Sequence, residues 1–366
     1  MKEYFLDTAS TTQPHKEVAD VVYDVMLNTY GNPSSTHKFG TDAKKIVEDV
    51  RDQIAEDIGC EPNEIIFTSG ACEANSLAFT AAKKVYTTKL EHKSIEVAYK
   101  DPAYFNNDTN GNIILSNDAL VDLGYHNWFV SVCGANSEIG VIQDIESISK
   151  FVHRYYNIFH VDATQLYPEQ RINVKDLGID LMSVSAQKFN GPRGIGFLYC
   201  RNGIELKPLI SGSQENYIRG GTYNVPAIAG MGKALELNRG IMQNYRNVCV
   251  RFNRDELAKR LLEIPNVHLN GPELNKNRLA NNISLTVDGV KASDLVTMAS
   301  MNGIYISAGS ACSSGESVPS STLKAIGLTD EQSLSTIRIT VDEKLNLHDV
   351  MDIAKILKGI IEILRR

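Results

Sequence analysis

Four short stretches of this 366-residue chain hold side chains whose type and setting could do chemistry. Cys312 lies in Ile306-Ser-Ala-Gly-Ser-Ala-Cys-Ser-Ser-Gly-Glu316, among residues with almost no apolar surface to enclose a thiol. Free cysteines are usually buried, so this one reads either as a surface cysteine in a linker or as a reactive thiol. Lys188 follows the apolar run Leu181-Met-Ser-Val-Ser185 and precedes Asn190-Gly-Pro-Arg-Gly194. A desolvated lysine near other cations becomes a nucleophile for a Schiff base, whereas a surface lysine only snorkels. Asp162, in Phe159-His-Val-Asp-Ala-Thr-Gln165, ends another apolar run. There it either meets a ligand at the carboxyl edge of an α/β sheet or caps the next helix. Finally, Ile65-Ile-Phe-Thr-Ser-Gly-Ala-Cys-Glu-Ala-Asn75 reads as strand, glycine turn and helix start. Such a terminus aims free N–H groups and a positive dipole end at an anion, though the pattern alone is commonplace.

The last three explain one another. A phosphate cradle, a strand-end aspartate and a strand-end lysine suit pyridoxal 5′-phosphate. The lysine attaches the cofactor, the helix start holds its phosphate, and the aspartate keeps the ring nitrogen protonated.

These residues need elements to position them. Residues 16–28 and 41–58 carry apolar side chains at helical spacing. Strand candidates follow at Glu64–Thr68, Trp128–Cys133, Ile158–Val161, Leu181–Val184 and Ile195–Tyr199, several apolar on consecutive residues, as in strands covered on both faces. Helical stretches between them predict an α/β fold with a mainly parallel sheet. After Pro226 a long helix over about 227–262 leads into strands at Asn282–Val287, Ile304–Ser307 and Thr336–Val341, with helices at 291–302 and 347–364. That order predicts a smaller α+β unit, and Asn106–Asn112 reads as a surface turn.

Composition narrows the function. A net charge of −7 argues against direct nucleic-acid binding and against an anionic membrane surface. No apolar run approaches the ~20 residues that span a bilayer, and the first residues lack a secretory apolar core, so a cytoplasmic protein is expected. None of the six cysteines forms a Cys-x-x-Cys pair and no His-Glu-x-x-His helix occurs, so no metal site is expected. Cys133 and Cys200 sit in apolar runs and should be packing residues.

With these motifs in this order, the chain resembles the cysteine desulfurases of the class-V aminotransferase group, within the fold-type-I pyridoxal-phosphate enzymes. The resemblance runs nearly end to end, through Leu6-Asp-Thr-Ala-Ser-Thr-Thr12, Gly31-Asn-Pro-Ser-Ser35, Phe67-Thr-Ser-Gly70, Glu91-His92, Asn136-Ser-Glu-Ile-Gly140, His160–Gln165, Arg219-Gly-Gly-Thr222 and Gly309-Ser-Ala-Cys-Ser313. It implies a large cofactor-binding domain over 14–235, and a small domain from 1–13 and 236–366 carrying the Cys312 loop. Lys188 would carry the cofactor and shuttle the substrate's Cα proton. Asp162 would pair with the ring nitrogen, Gln165 would lie near the phenolic oxygen, and His92 would stack on the ring and serve as base. Ala71 and Cys72 amides, Ser185 and Gln187 would hold the phosphate. Thr222 would reach the phosphate of a partner subunit, implying a homodimer. Arg338 would clamp the carboxylate of L-cysteine, with Asn32 and Ser137 also facing substrate. Cys312 would take the sulfur as a persulfide, release alanine, and pass the sulfur to an acceptor protein.

The chain departs from that pattern in four places. Gln187 stands where the family has histidine, Ser137 where it has asparagine, and Cys72 where it has threonine; Ser211-Gly-Ser-Gln214 is one residue short. Asn136 would need a shifted backbone to replace the missing asparagine. Selenocysteine lyase, an aminotransferase that never uses Cys312, and a degenerate cofactor-binding regulatory subunit are the alternatives.

Overall fold

The computed structural model describes residues 2–124, 127–239, 241–309 and 318–366. Cys312 and its loop lie outside the described residues. Seven strands form the main sheet, in the spatial order Ile65–Thr68, Gly196–Cys200, Leu181–Ser185, Ile158–Asp162, Phe129–Cys133, Val85–Thr87, Ala103–Tyr104. From Leu181–Ser185 to Ala103–Tyr104 every pairing is parallel. Gly196–Cys200 runs antiparallel to both of its neighbours. The α/β, mainly parallel fold is therefore as expected. The reversed strand is not visible in residue type, because an apolar run has no direction.

Phe129–Cys133 and Leu181–Ser185 are buried at every position, the mark of strands covered on both faces. One cover is the helix Lys38–Ile58, which turns Ala43, Val47, Val50, Ile54 and Ile58 inward at intervals of three and four residues. It ends on Gly59 at φ 74°, the left-handed position that favours glycine. Gly232 lets the helix Val225–Asn238 approach it: a Cβ there would stand 2.7 Å from a methyl carbon of Val50.

The expected single helix over 227–262 is two, Val225–Asn238 and Ile241–Leu262. Arg239 is extended (φ −105°, ψ 159°). Its guanidinium pairs with Asp57 at 2.8 Å and stacks on Tyr167, contacts a continuous helix would forgo. Asn106–Asn112 belongs to a small hairpin of Asn106–Asn107 with Ile113–Ile114, its turn held by Asp108 accepting from the Asn110 and Asn112 amides.

A second, four-stranded sheet has the order Val267–Leu269, Asn282–Val287, Thr336–Thr340, Ser307–Ala308. Its core gathers Ile283, Leu285, Leu295, Ile339, Ile353 and Leu357, and takes in Tyr4 and Leu6 from the chain start. The strand Tyr4–Phe5 pairs in parallel with Ile304–Tyr305, and the Thr340 amide donates to the Leu6 carbonyl. This brings Asp7–Thr12 across to the main sheet. Cys133 and Cys200 are buried. Among the described residues no helix is long and apolar enough to cross a membrane, and no His/Cys/Asp/Glu cluster could hold a metal ion.

Candidate active site

Six of the sheet's seven strands, all but Gly196–Cys200, run the same way, so their carboxyl ends share one edge, the usual ligand position in open α/β sheets. Gly70–Cys72 leave Ile65–Thr68, and Ser185–Lys188 leave Leu181–Ser185. Asp162 ends Ile158–Asp162, Asn136 and Ser137 follow Phe129–Cys133, and Glu91 and His92 follow Val85–Thr87. The edge thus collects most of the residues expected from sequence.

The cradle is built from missing side chains. Gly70 has φ 148°, and the helix Ala71–Ala78 that it opens carries no side-chain cap. Its first N–H groups therefore point outward without helical partners. Ser69 N–H is already taken by Glu73, at 2.6 Å. Gly196 permits the geometry: a Cβ there would sit 2.4 Å from Val184 O and 2.9 Å from Gly70 Cα. The Ser185 hydroxyl faces the turn, 3.4 Å from where a Gly70 Cβ would be.

Lys188 lies half-buried in a short turn, Ala186–Lys188. Its Nζ donates to the carbonyls of Ala9 (2.6 Å) and Ser10 (2.7 Å), and Gln165 Nε2 donates to the same Ala9 oxygen at 3.0 Å. Burial, with help from the nearby Arg338 cation, pulls the amine down to about 8. Asp162 is buried; Oδ1 accepts from Thr164 N–H (3.0 Å) and Oδ2 from Asn75 Nδ2 (2.8 Å). The Thr164 bond is a local Asx turn, but no helix follows for Asp162 to cap.

Arg338 holds Asp7 through Nη2 at 2.7 Å, while its buried Nε has no hydrogen-bond partner among the described residues. A half-used guanidinium with its Nε buried is the donor set a carboxylate fills. His92 is exposed and caps the short helix Lys93–Glu96. Beside it, Glu91 is buried with Oε1 accepting from Thr88 and from Cys133 N–H, and burial lifts its carboxyl to about 8.

Other expected residues sit differently. Asn136 is spent on its own turn, its Oδ1 accepting from the Glu138 and Ile139 amides and its Nδ2 donating to Leu90 O. It does not take over the role left by Ser137, whose carbonyl accepts from Asn282. Gln187 is half-buried, with its carbonyl taken by Thr12. Cys72 is exposed at the helix start. Thr222 is exposed on a loop that Arg219 ties to Glu73 by two bonds (2.7 and 3.2 Å). Asn32 is exposed in the turn between the first two helices, and among the described residues no hydrogen bond joins it to the edge that holds Lys188. Asp7, Asn75 and Ser94 were not singled out from sequence. Asp7 lies in a recognisable motif, but the partners of all three come from elements distant in the chain.

The model of the aminotransferase class-V family matches residues 4–350. A protein named cysteine desulfurase IscS from Dictyoglomus turgidum is 37% identical over 100% of this chain and 96% of its own length. Another of that name, from Methanosarcina thermophila, is 34% identical, covering 100% of this chain and 93% of its own. A solved structure titled NifS-like protein superposes with a TM-score of 0.90 at 28% identity, over 99% of this chain and 100% of that one. The fold is that of an α/β enzyme of the NifS-like type. The chain belongs to the class-V aminotransferase family.

Proposed function

We propose that this protein is a cysteine desulfurase that uses pyridoxal 5′-phosphate. What supports the reading most is one juxtaposition: an amine lowered to about 8, a buried carboxylate and an uncapped helix start on a single sheet edge. The donor set fits the group. Ala71 and Cys72 amides with the Ser185 hydroxyl would hold its phosphate, Asp162 would keep its ring nitrogen protonated, and Gln165 and His92 would supply further contacts to it. When bound, the cofactor supplies an aldehyde for covalent attachment and a ring that accepts electrons.

Around it the chain's own groups bind and move protons. Arg338 holds the carboxylate of L-cysteine, with Ser137 and Asn32 as further substrate contacts. Lys188 takes the proton from the substrate's Cα, a task for an amine that titrates near 8. The Cys312 thiolate attacks the substrate sulfur: an S–S bond forms, the C–S bond breaks with its electrons going to carbon, and carbon takes a proton to give alanine. The persulfide on Cys312 is then passed to an acceptor protein.

Two further parts belong to the same reading. The separate cores support a large domain over 14–235 and a small one of 1–13 with 236–366. Exposed Thr222 serves the phosphate of a partner subunit, making the enzyme a homodimer. Purified protein given pyridoxal phosphate, L-cysteine and a reductant should release alanine and sulfide in equal amounts. A protein that binds the cofactor and releases no alanine contradicts the proposal.

A further inference from the structure

A chain of three hydrogen bonds runs between His92 and Asp162. His92 Nδ1 lies 2.8 Å from Ser94 Oγ, Ser94 Oγ accepts from Asn75 Nδ2 at 2.9 Å, and Asn75 Nδ2 donates to Asp162 Oδ2 at 2.8 Å. The directions follow from chemistry. A carboxylate only accepts, so Asn75 turns its NH2 toward Asp162. That same NH2 donates to Ser94 Oγ, so the single hydroxyl proton of Ser94 is left for His92 Nδ1. The backbone N–H of Ser94, which can only donate, also points at Nδ1, at 3.1 Å. Two donors on one nitrogen make it the unprotonated one.

A histidine that merely capped the helix Lys93–Glu96 would need only the backbone bond. The remaining links come at a cost, because Asn75 Oδ1 is buried with no hydrogen-bond partner among the described residues. An unpaired buried carbonyl is unfavourable, and a flipped amide would press that oxygen against the Asp162 carboxylate. The arrangement thus spends stability to fix the orientation of a carboxylate and, through Ser94, of a ring.

We propose that Asn75 and Ser94 are positioning residues that hold His92 as the Nε2–H tautomer and join its orientation to that of Asp162. The inference rests on the reading of His92 and Asp162 as cofactor-facing groups. It changes what His92 does: its Nε2 offers a proton in the resting enzyme, so His92 is a proton donor and not the base that activates Cys312.

Nitrogen-15 NMR of the full-length apo and holo protein, labelled at histidine, tests this at a pH where the ring is neutral. The His92 signals are identified by their loss in His92→Asn. We expect the proton on Nε2 and a bare Nδ1 in the parent. Ser94→Ala should raise the Nδ1–H population several-fold and lower kcat roughly tenfold with KM unchanged, and Ser94→Thr should restore both. Asn75→Ala, which frees the Ser94 hydroxyl, should shift the same signals the same way. A proton on Nδ1 in the parent overturns the proposal without any variant. So do His92 signals unmoved in a folded Ser94→Ala protein. Because the tautomer is read without turnover, an inactive protein with Nε2–H would contradict the desulfurase reading alone, and an active one with Nδ1–H would contradict only this inference.

Discussion

At neutral pH the Lys188 amine is within reach of its neutral form, unlike a surface lysine, because burial disfavours the cation and Arg338 adds a second positive charge. The sign gives a direct expectation. An amine attacks an aldehyde only when unprotonated, so cofactor attachment to the apo protein should slow by about tenfold per pH unit below about 8 and level off above it. Stopped-flow absorbance after adding pyridoxal phosphate reads this rate. Arg338→Gln removes a neighbouring cation, so its midpoint should move to higher pH; an unmoved or lowered midpoint would contradict the electrostatic account. Lys188 and Asp162 were legible from residue type and from their place after apolar runs, and Arg338 only through the family resemblance. Asn75 and Ser94 were not. An asparagine and a serine are commonplace in short helices, and only the packing of Ala71–Ala78 against the Lys93–Glu96 segment turns them toward Asp162.

The elements matter here chiefly for the spaces they leave. The antiparallel strand Gly196–Cys200 inserts between Ile65–Thr68 and Leu181–Ser185, and its first residue must have no side chain where Gly70 and Val184 approach. Gly196→Ala should therefore push the Gly70 turn outward. A loss of about 1–3 kcal/mol in stability is expected by denaturant titration, together with faster cofactor release. Release and stability equal to the parent's would mean the close approach is not what shapes the cradle. Strand positions were readable because both faces are covered and the apolar residues run on consecutively. The helix break at Arg239 was not, since its cause is Asp57 and Tyr167, far away in the chain.

Across the whole molecule, residues from distant parts of the chain meet at one edge. Asp7, Ala9 and Ser10 come from the start, Arg338 from near the end, and Lys188 from the middle. The loop bearing Thr222 is anchored by the buried Arg51–Glu215 pair as well as by Arg219–Glu73, so its exposed end is held in place. Tyr23, Met26, Leu27, Tyr30 and Phe39 are large, exposed apolar side chains of the first two helices and the turn between them. A second subunit would account for both features. Sedimentation equilibrium should give twice the chain mass, and a single-chain mass in an active protein would contradict the dimer.

The central claim is that the sulfur of L-cysteine passes to Cys312. Mass spectrometry of the holoenzyme after treatment with L-cysteine, without reductant, tests it most directly. The account predicts a gain of about 32 daltons, one sulfur atom, on the peptide that contains Cys312, and no gain in Cys312→Ala. Alanine formed at the parent's rate by Cys312→Ala, or the added sulfur found on another cysteine such as Cys72, would contradict it.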